Sequence, residues 1–140
     1  ELVKGKIKVC VEIKVKDIEE AVLDCINKLD MRNDVIIFSF DYPVVERIRE
    51  MDKEIQTLFL KSQADQSTID AAKAISANAI GVGSKTEITR SFLDAAHQSG
   101  IEVWQWTIDD PEKMKELFRL GIDGLITNHP DQALNLIKSE

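Results

Sequence analysis

Cysteine and histidine each occur only twice in these 140 residues, and neither falls at a spacing that binds zinc. Two histidines cannot build a His-rich metal centre. Cys10 and Cys25 both sit in apolar patterns, so they read as free buried thiols rather than a disulfide. No apolar run approaches the ~20 residues needed to span a bilayer. Basic charge is outnumbered: 18 Lys and Arg stand against 25 Asp and Glu, for a net charge of −7. The basic residues are scattered rather than striped, which argues against a nucleic-acid partner. No Gly/Ser linker, low-complexity tract or change in composition divides the chain, so residues 1–140 read as one α/β domain. No basic-then-apolar leader follows Glu1, and a cytoplasmic location is expected.

What is present is an alternation of short apolar runs with helical periods. The strand-like runs are Ile7–Lys14, Val35–Phe40, Gln56–Leu60, Ala79–Val82, Val103–Thr107 and Gly124–Thr127. Between them, residues 17–29 place Ile18, Ala21, Val22, Cys25, Ile26 and Leu29 on one helical stripe. Val44, Val45 and Ile48 form a second stripe. Ile69, Ala72 and Ile75 form a third, and Ile88, Phe92, Ala95 and Ala96 a fourth that stops at Gly100. Asp110-Pro111 and Gly121 bracket a fifth helix, and a sixth carries Ala133, Leu134 and Ile137 after His129-Pro130. Six βα units with short loops predict a parallel sheet covered by helices. The period leaves open whether the sheet is doubly wound or belongs to a barrel.

In either architecture the chemistry sits where strands end. Lys8, Cys10, Glu12 and Lys14 alternate with Val9, Val11, Ile13 and Val15. If the valines and Ile13 pack on helices, Glu12 and Lys14 point to the other face at the strand's exit. A carboxylate there can bind a hard cation, and an ammonium can pair with a phosphate oxygen. A plain Glu–Lys pair at a solvated strand end is the alternative. Gly81-Val82-Gly83-Ser84 lacks the glycine spacing of a phosphate-binding fingerprint and reads as a turn. Trp104 and Trp106 share a face and suit packing or a pocket wall. His97 ends a helix. His129 suits helix entry or ligand contact equally. Ser39 lacks a nucleophile elbow.

"VCVEIKV", "IIFSFD", "AAHQSGIEVWQWTIDD" and "GIDGLITNHPDQAL", in that order, resemble the glycerophosphodiester phosphodiesterase family from about Lys6 to Leu134. The resemblance implies a (β/α)8 TIM barrel, here about six βα units with the first two missing. It implies Glu12 as a metal ligand for Mg2+ or Ca2+. Lys14 becomes a catalytic residue at the substrate phosphate, with Trp106 and Phe40 lining the substrate pocket. The implied reaction hydrolyses a small glycerophosphodiester to glycerol 3-phosphate and an alcohol. The family's catalytic histidines, an arginine and further acidic ligands have no counterpart here. His129 stands where the family commonly has arginine. A non-catalytic barrel fragment, acting as scaffold or phosphate-binding module, is the alternative, and an unrelated phosphate-binding barrel enzyme a third reading. An open barrel edge at Ile7–Lys14 predicts self-association, or pairing with the missing N-terminal part.

Overall fold

A computed structural model describes residues 2–139 of the chain. Six strands alternate with six helices: β1 (Val9–Glu12), α1 (Glu19–Lys28), β2 (Val35–Ser39), α2 (Tyr42–Met51), β3 (Gln56–Lys61), α3 (Gln66–Ala74), β4 (Ala79–Gly83), α4 (Arg90–Gln98), β5 (Glu102–Trp106), α5 (Pro111–Leu120), β6 (Gly124–Leu125) and α6 (Pro130–Ser139). One 3-10 turn, Arg32–Asp34, leads into β2. All neighbouring strands pair in parallel, and the order across the sheet is β1-β2-β3-β4-β5-β6. A doubly wound sheet reverses its order at a switch point. This one never reverses, so it curls as a wall of a barrel.

The helices start and stop for local reasons. Asp65 caps α3 in a reciprocal box with Thr68, Thr89 caps α4, and Asp110 accepts from the backbone N–H groups of Glu112 and Lys113 ahead of Pro111. Gly121 closes α5 at φ +83°, a left-handed conformation that glycine adopts without strain.

Two apolar layers lie on opposite faces of the sheet. Outside, strand residues such as Ile37, Phe59, Ile80, Val82 and Val103 pack under helical residues including Val45, Ile48, Ile69, Leu93, Met114 and Leu117. Inside, Ile36, Phe38, Leu58, Leu60 and Ala79 meet Trp104, Trp106 and Ile126. Gly124 lies against Trp104 so closely that a Cβ there would meet the indole at 2.3 Å. Phe38 and Trp104 pack edge to face, centroids 5.9 Å apart.

The structure corrects several expectations at the two ends of the sheet. β1 is only four residues and β6 only two, shorter than the apolar runs around them. Each end strand has only one neighbour to pair with, so it lacks the second ladder that supports the inner strands. The buried face of α1 is Glu19, Leu23 and Ile26, with Val22 half-buried, whereas Ile18, Ala21, Cys25 and Leu29 are exposed. The stripe is rotated because α1 packs toward α2 on one flank only. Both cysteines are therefore free and exposed, not buried: Cys10 on the inner face of an edge strand, Cys25 on the open flank of α1. On α6, Ala133 is buried and Leu136 packs on the core, but Leu134 and Ile137 are exposed.

Candidate active site

The alternation in β1 sorts its residues as the sequence suggested. Val9, Val11 and Ile13 join the helix-side core. Glu12 lies on the other face, in a hollow it shares with Phe38, Phe40, Leu60, Trp106, Thr107 and Ile126. Lys14 follows at the strand's exit, its Nζ 3.5 Å from a carboxylate oxygen of Glu12. Both sit on the rim of a hollow of about 520 Å³ with Ser39, Phe40, Asp41 and Tyr42. Glu12 keeps 36% of its side chain exposed and Lys14 74%, so both heads remain available to a ligand.

Ser39 sets this geometry. Its hydroxyl, 1% exposed, donates to the carbonyl of Ile13 at 2.8 Å and accepts from the backbone N–H of Asp41 at 3.1 Å. The backbone N–H of Ile13 donates in turn to the carbonyl of Phe38 at 2.8 Å. The exits of β1 and β2 are thereby strapped together, with Glu12 and Lys14 on one side and Phe40 and Asp41 on the other. Ser39 is a strut between the two strand exits, a role the sequence analysis does not anticipate. The only sequence signal was a small hydroxyl side chain at the end of an apolar strand. Lys16 adds an ion pair to Asp41 at 3.2 Å.

Phe40 and Trp106 meet edge to face across the hollow, centroids 5.5 Å apart. The structure thus gathers Glu12, Phe40 and Trp106, with Lys14 beside them. The two histidines lie elsewhere. His97 bonds Asp123 at 2.7 Å, and the same Asp123 oxygen accepts from the backbone N–H of Val103. This strut ties α4 to the entry of β5 and serves structure. His129 enters α6: its carbonyl accepts from Ala133 and its N–H donates to the Thr127 hydroxyl.

Asp109 latches that neighbourhood. It accepts from the backbone N–H and side-chain amide of Asn128, each at 2.8 Å, and from the Thr127 hydroxyl at 2.9 Å. The Asn128 backbone bond, then its amide, hold the Asp109 carboxyl below the ordinary carboxylate range despite some desolvation. Gly83 ends β4 hard against the chain leaving β3: a Cβ there would meet the Ser62 carbonyl oxygen at 2.4 Å. The turn reading of Gly81–Ser84 is corrected: Gly81, Val82 and Gly83 are the last residues of β4, and the turn begins only at Ser84.

A carboxylate oxygen suits a hard divalent ion, but one carboxylate is not a site. Among the described residues no three His, Cys, Asp or Glu side chains gather where a metal could be held. The residues of this chain do not by themselves fit such an ion.

A sequentially wound parallel sheet, with helices outside and polar groups at the strand exits, defines a partial barrel of the (β/α)8 class with its site on the C-terminal rim. The chain matches the profile of the Glycerophosphoryl diester phosphodiesterase family over residues 2–132 and belongs to that family. It is 23% identical over 121 residues to a glycerophosphodiester phosphodiesterase of Caldanaerobacter subterraneus, covering 86% of this chain and 49% of that one. The chain spans about half the length of the curated relatives it matches. Its fold matches that of a glycerophosphodiester phosphodiesterase from Parabacteroides distasonis with TM-score 0.82 at 16% identity, covering 96% of this chain and 59% of the other. It also matches a phosphodiesterase of Oleispira antarctica, solved with its product sn-glycerol-3-phosphate, with TM-score 0.77 at 14% identity, covering 94% and 55%. Among the described residues no helix is long and apolar enough to cross a membrane.

Proposed function

We propose that this chain forms the part of a glycerophosphodiester phosphodiesterase barrel that binds the phosphate and the glycerol end of its substrate. The products are glycerol 3-phosphate and an alcohol. The observation that carries this reading is the Glu12–Lys14 pair on the inner rim, 3.5 Å apart, with Glu12 lining the Phe40–Trp106 hollow and both lining the hollow beside Ser39 and Asp41. Family membership supports the reaction class. Lys14 places a cation where a phosphoryl oxygen would sit, and binding there is charge-assisted. Phe40 and Trp106 offer an apolar wall for the carbon skeleton. Glu12 contributes one oxygen to a Mg2+ or Ca2+ site whose other ligands come from barrel units outside this chain. Such units would also supply the proton-transferring histidine and cover the exposed edge of β1.

The test mixes this chain with the first two βα units of a curated relative, adds Mg2+ or Ca2+, and follows glycerophosphocholine hydrolysis. Activity in the mixture, lost by at least about 100-fold in Glu12→Ala, is the expected result. Activity indifferent to Glu12→Ala refutes the site. No activity in any mixture, with phosphate still bound, favours a phosphate-binding module.

A further inference from the structure

A second hollow, of about 460 Å³, adjoins the first and shares Phe40 with it. Its other walls are Lys61, Ser62, Gln63 and Lys85, from the exits of β3 and β4. Among the described residues neither Lys61 nor Lys85 forms an ion pair. Asp65, the acid that feels the Lys61 charge, is already engaged by Ser67 and the start of α3. The Lys61 ammonium rests 5.6 Å from the centroid of the Phe59 ring, a weak cation–π contact that an anion can outcompete.

The two loops bearing these lysines are bolted together. The backbone N–H of Ala64 donates to the Thr86 hydroxyl at 3.3 Å. Gln105, fully buried, donates its amide to the carbonyls of Gly83 and Thr86, at 3.2 and 2.8 Å. The Thr86 N–H closes a turn on Gly83 at 2.9 Å, and Gly83 touches Ser62 too closely for any side chain. Lys85 thus projects from a fixed turn between Gly83 and Thr86, and Lys61 from the strand end pressed against it. Loops fixed in this way need little reordering to bring both lysines to a shared anion.

We propose that this hollow is a second, anion-binding subsite, in which Lys61 and Lys85 take a phosphomonoester on the alcohol portion of the substrate. This rests on the reading of Glu12 and Lys14 given above. With the diester phosphate at Lys14, the alcohol group crosses Phe40 into the Lys61–Lys85 hollow. The preferred substrates are then glycerophosphodiesters whose alcohol carries negative charge.

The experiment uses the full chain and two probes. Inorganic phosphate is titrated while backbone amide shifts are followed. Saturable shifts at Ser62, Gln63, Ser84 and Lys85, absent from a Lys61→Gln/Lys85→Gln variant, are expected. Their absence from the parent chain overturns the subsite. Glycerophosphoinositol and its 4-phosphate are then compared, since they differ only in a distal phosphomonoester. The 4-phosphate should bind about fivefold more tightly at low salt, with the preference fading at high salt. The double variant should lose the preference while binding glycerophosphoinositol as before. A Lys28→Gln/Lys138→Gln variant, equal in charge change, should retain it. Equal binding of the two probes, or equal loss in both variants, overturns the proposal. If the phosphate shifts survive but Glu12→Ala leaves hydrolysis untouched, the subsite stands and the hydrolase reading falls.

Discussion

Glu12 and Lys14 form an ion pair that water reaches from both sides, and such pairs contribute about 0–1 kcal/mol to stability. Ser39, buried and twice bonded, holds their strand in place. Ser39→Ala should cost about 1–2 kcal/mol in urea unfolding, since it leaves the Asp41 N–H and the Ile13 carbonyl without that partner. Glu12→Gln should cost under about 0.5 kcal/mol in the same measurement. A reversed order would mean that the rim pair, not the serine, anchors the β1 exit. Asp109 gives a pH prediction. Its folded pKa is depressed, so its contribution is present above the unfolded value and is lost as pH falls through the folded one. The parent chain should lose stability relative to Asp109→Asn as pH drops below about 4, with no such divergence between pH 6 and 8. Parallel acid titration curves for the two proteins would contradict the latch. At this scale the alternation of β1 made the facing of Glu12 and Lys14 legible. The struts at Ser39 and Asp109 were not, because a hydrogen bond to a distant backbone leaves no period in the chain.

The helices show the same division. The predicted stripes of α2 and α3 match the structure: Val44, Val45 and Ile48 are buried, as are Ile69, Ala72 and Ile75. α1 was misread by part of a turn. Leu23, omitted from the predicted stripe, is 6% exposed, whereas Leu29, included in it, is 51% exposed. A stripe carrying apolar residues on two flanks cannot say which flank the tertiary structure covers. Leu23→Ala should therefore destabilise by about 2–4 kcal/mol, and Leu29→Ala by under about 1 kcal/mol. Comparable shifts in the denaturation midpoint would return α1 to the predicted orientation. The sheet order was likewise beyond the period of the sequence. Doubly wound and barrel sheets use the same alternating units, and only the unreversed strand order settles which is present.

Across the whole molecule, apolar side chains gather at both margins of the sheet. Ile7, Val15, Ile18 and Leu29 are exposed near β1, and Leu134 and Ile137 on α6 near β6. An exposed strand edge beside apolar surface invites pairing with another chain. Light scattering of the isolated chain should show mass rising with concentration. Val15→Lys should reduce that rise, as should addition of the first two βα units of a relative. A fixed monomer mass across the concentration range would refute the pairing.

The sequential winding of the sheet has a kinetic consequence. Each strand contacts the next unit along the chain, so most of the architecture can form by adding one unit to its predecessor, without joining distant ends. Opening should then proceed inward from the margins. Deuterium should enter the amides of β1 and β6 first, and those of β3 and β4 last, as a ladder of graded protection rather than a single collapse.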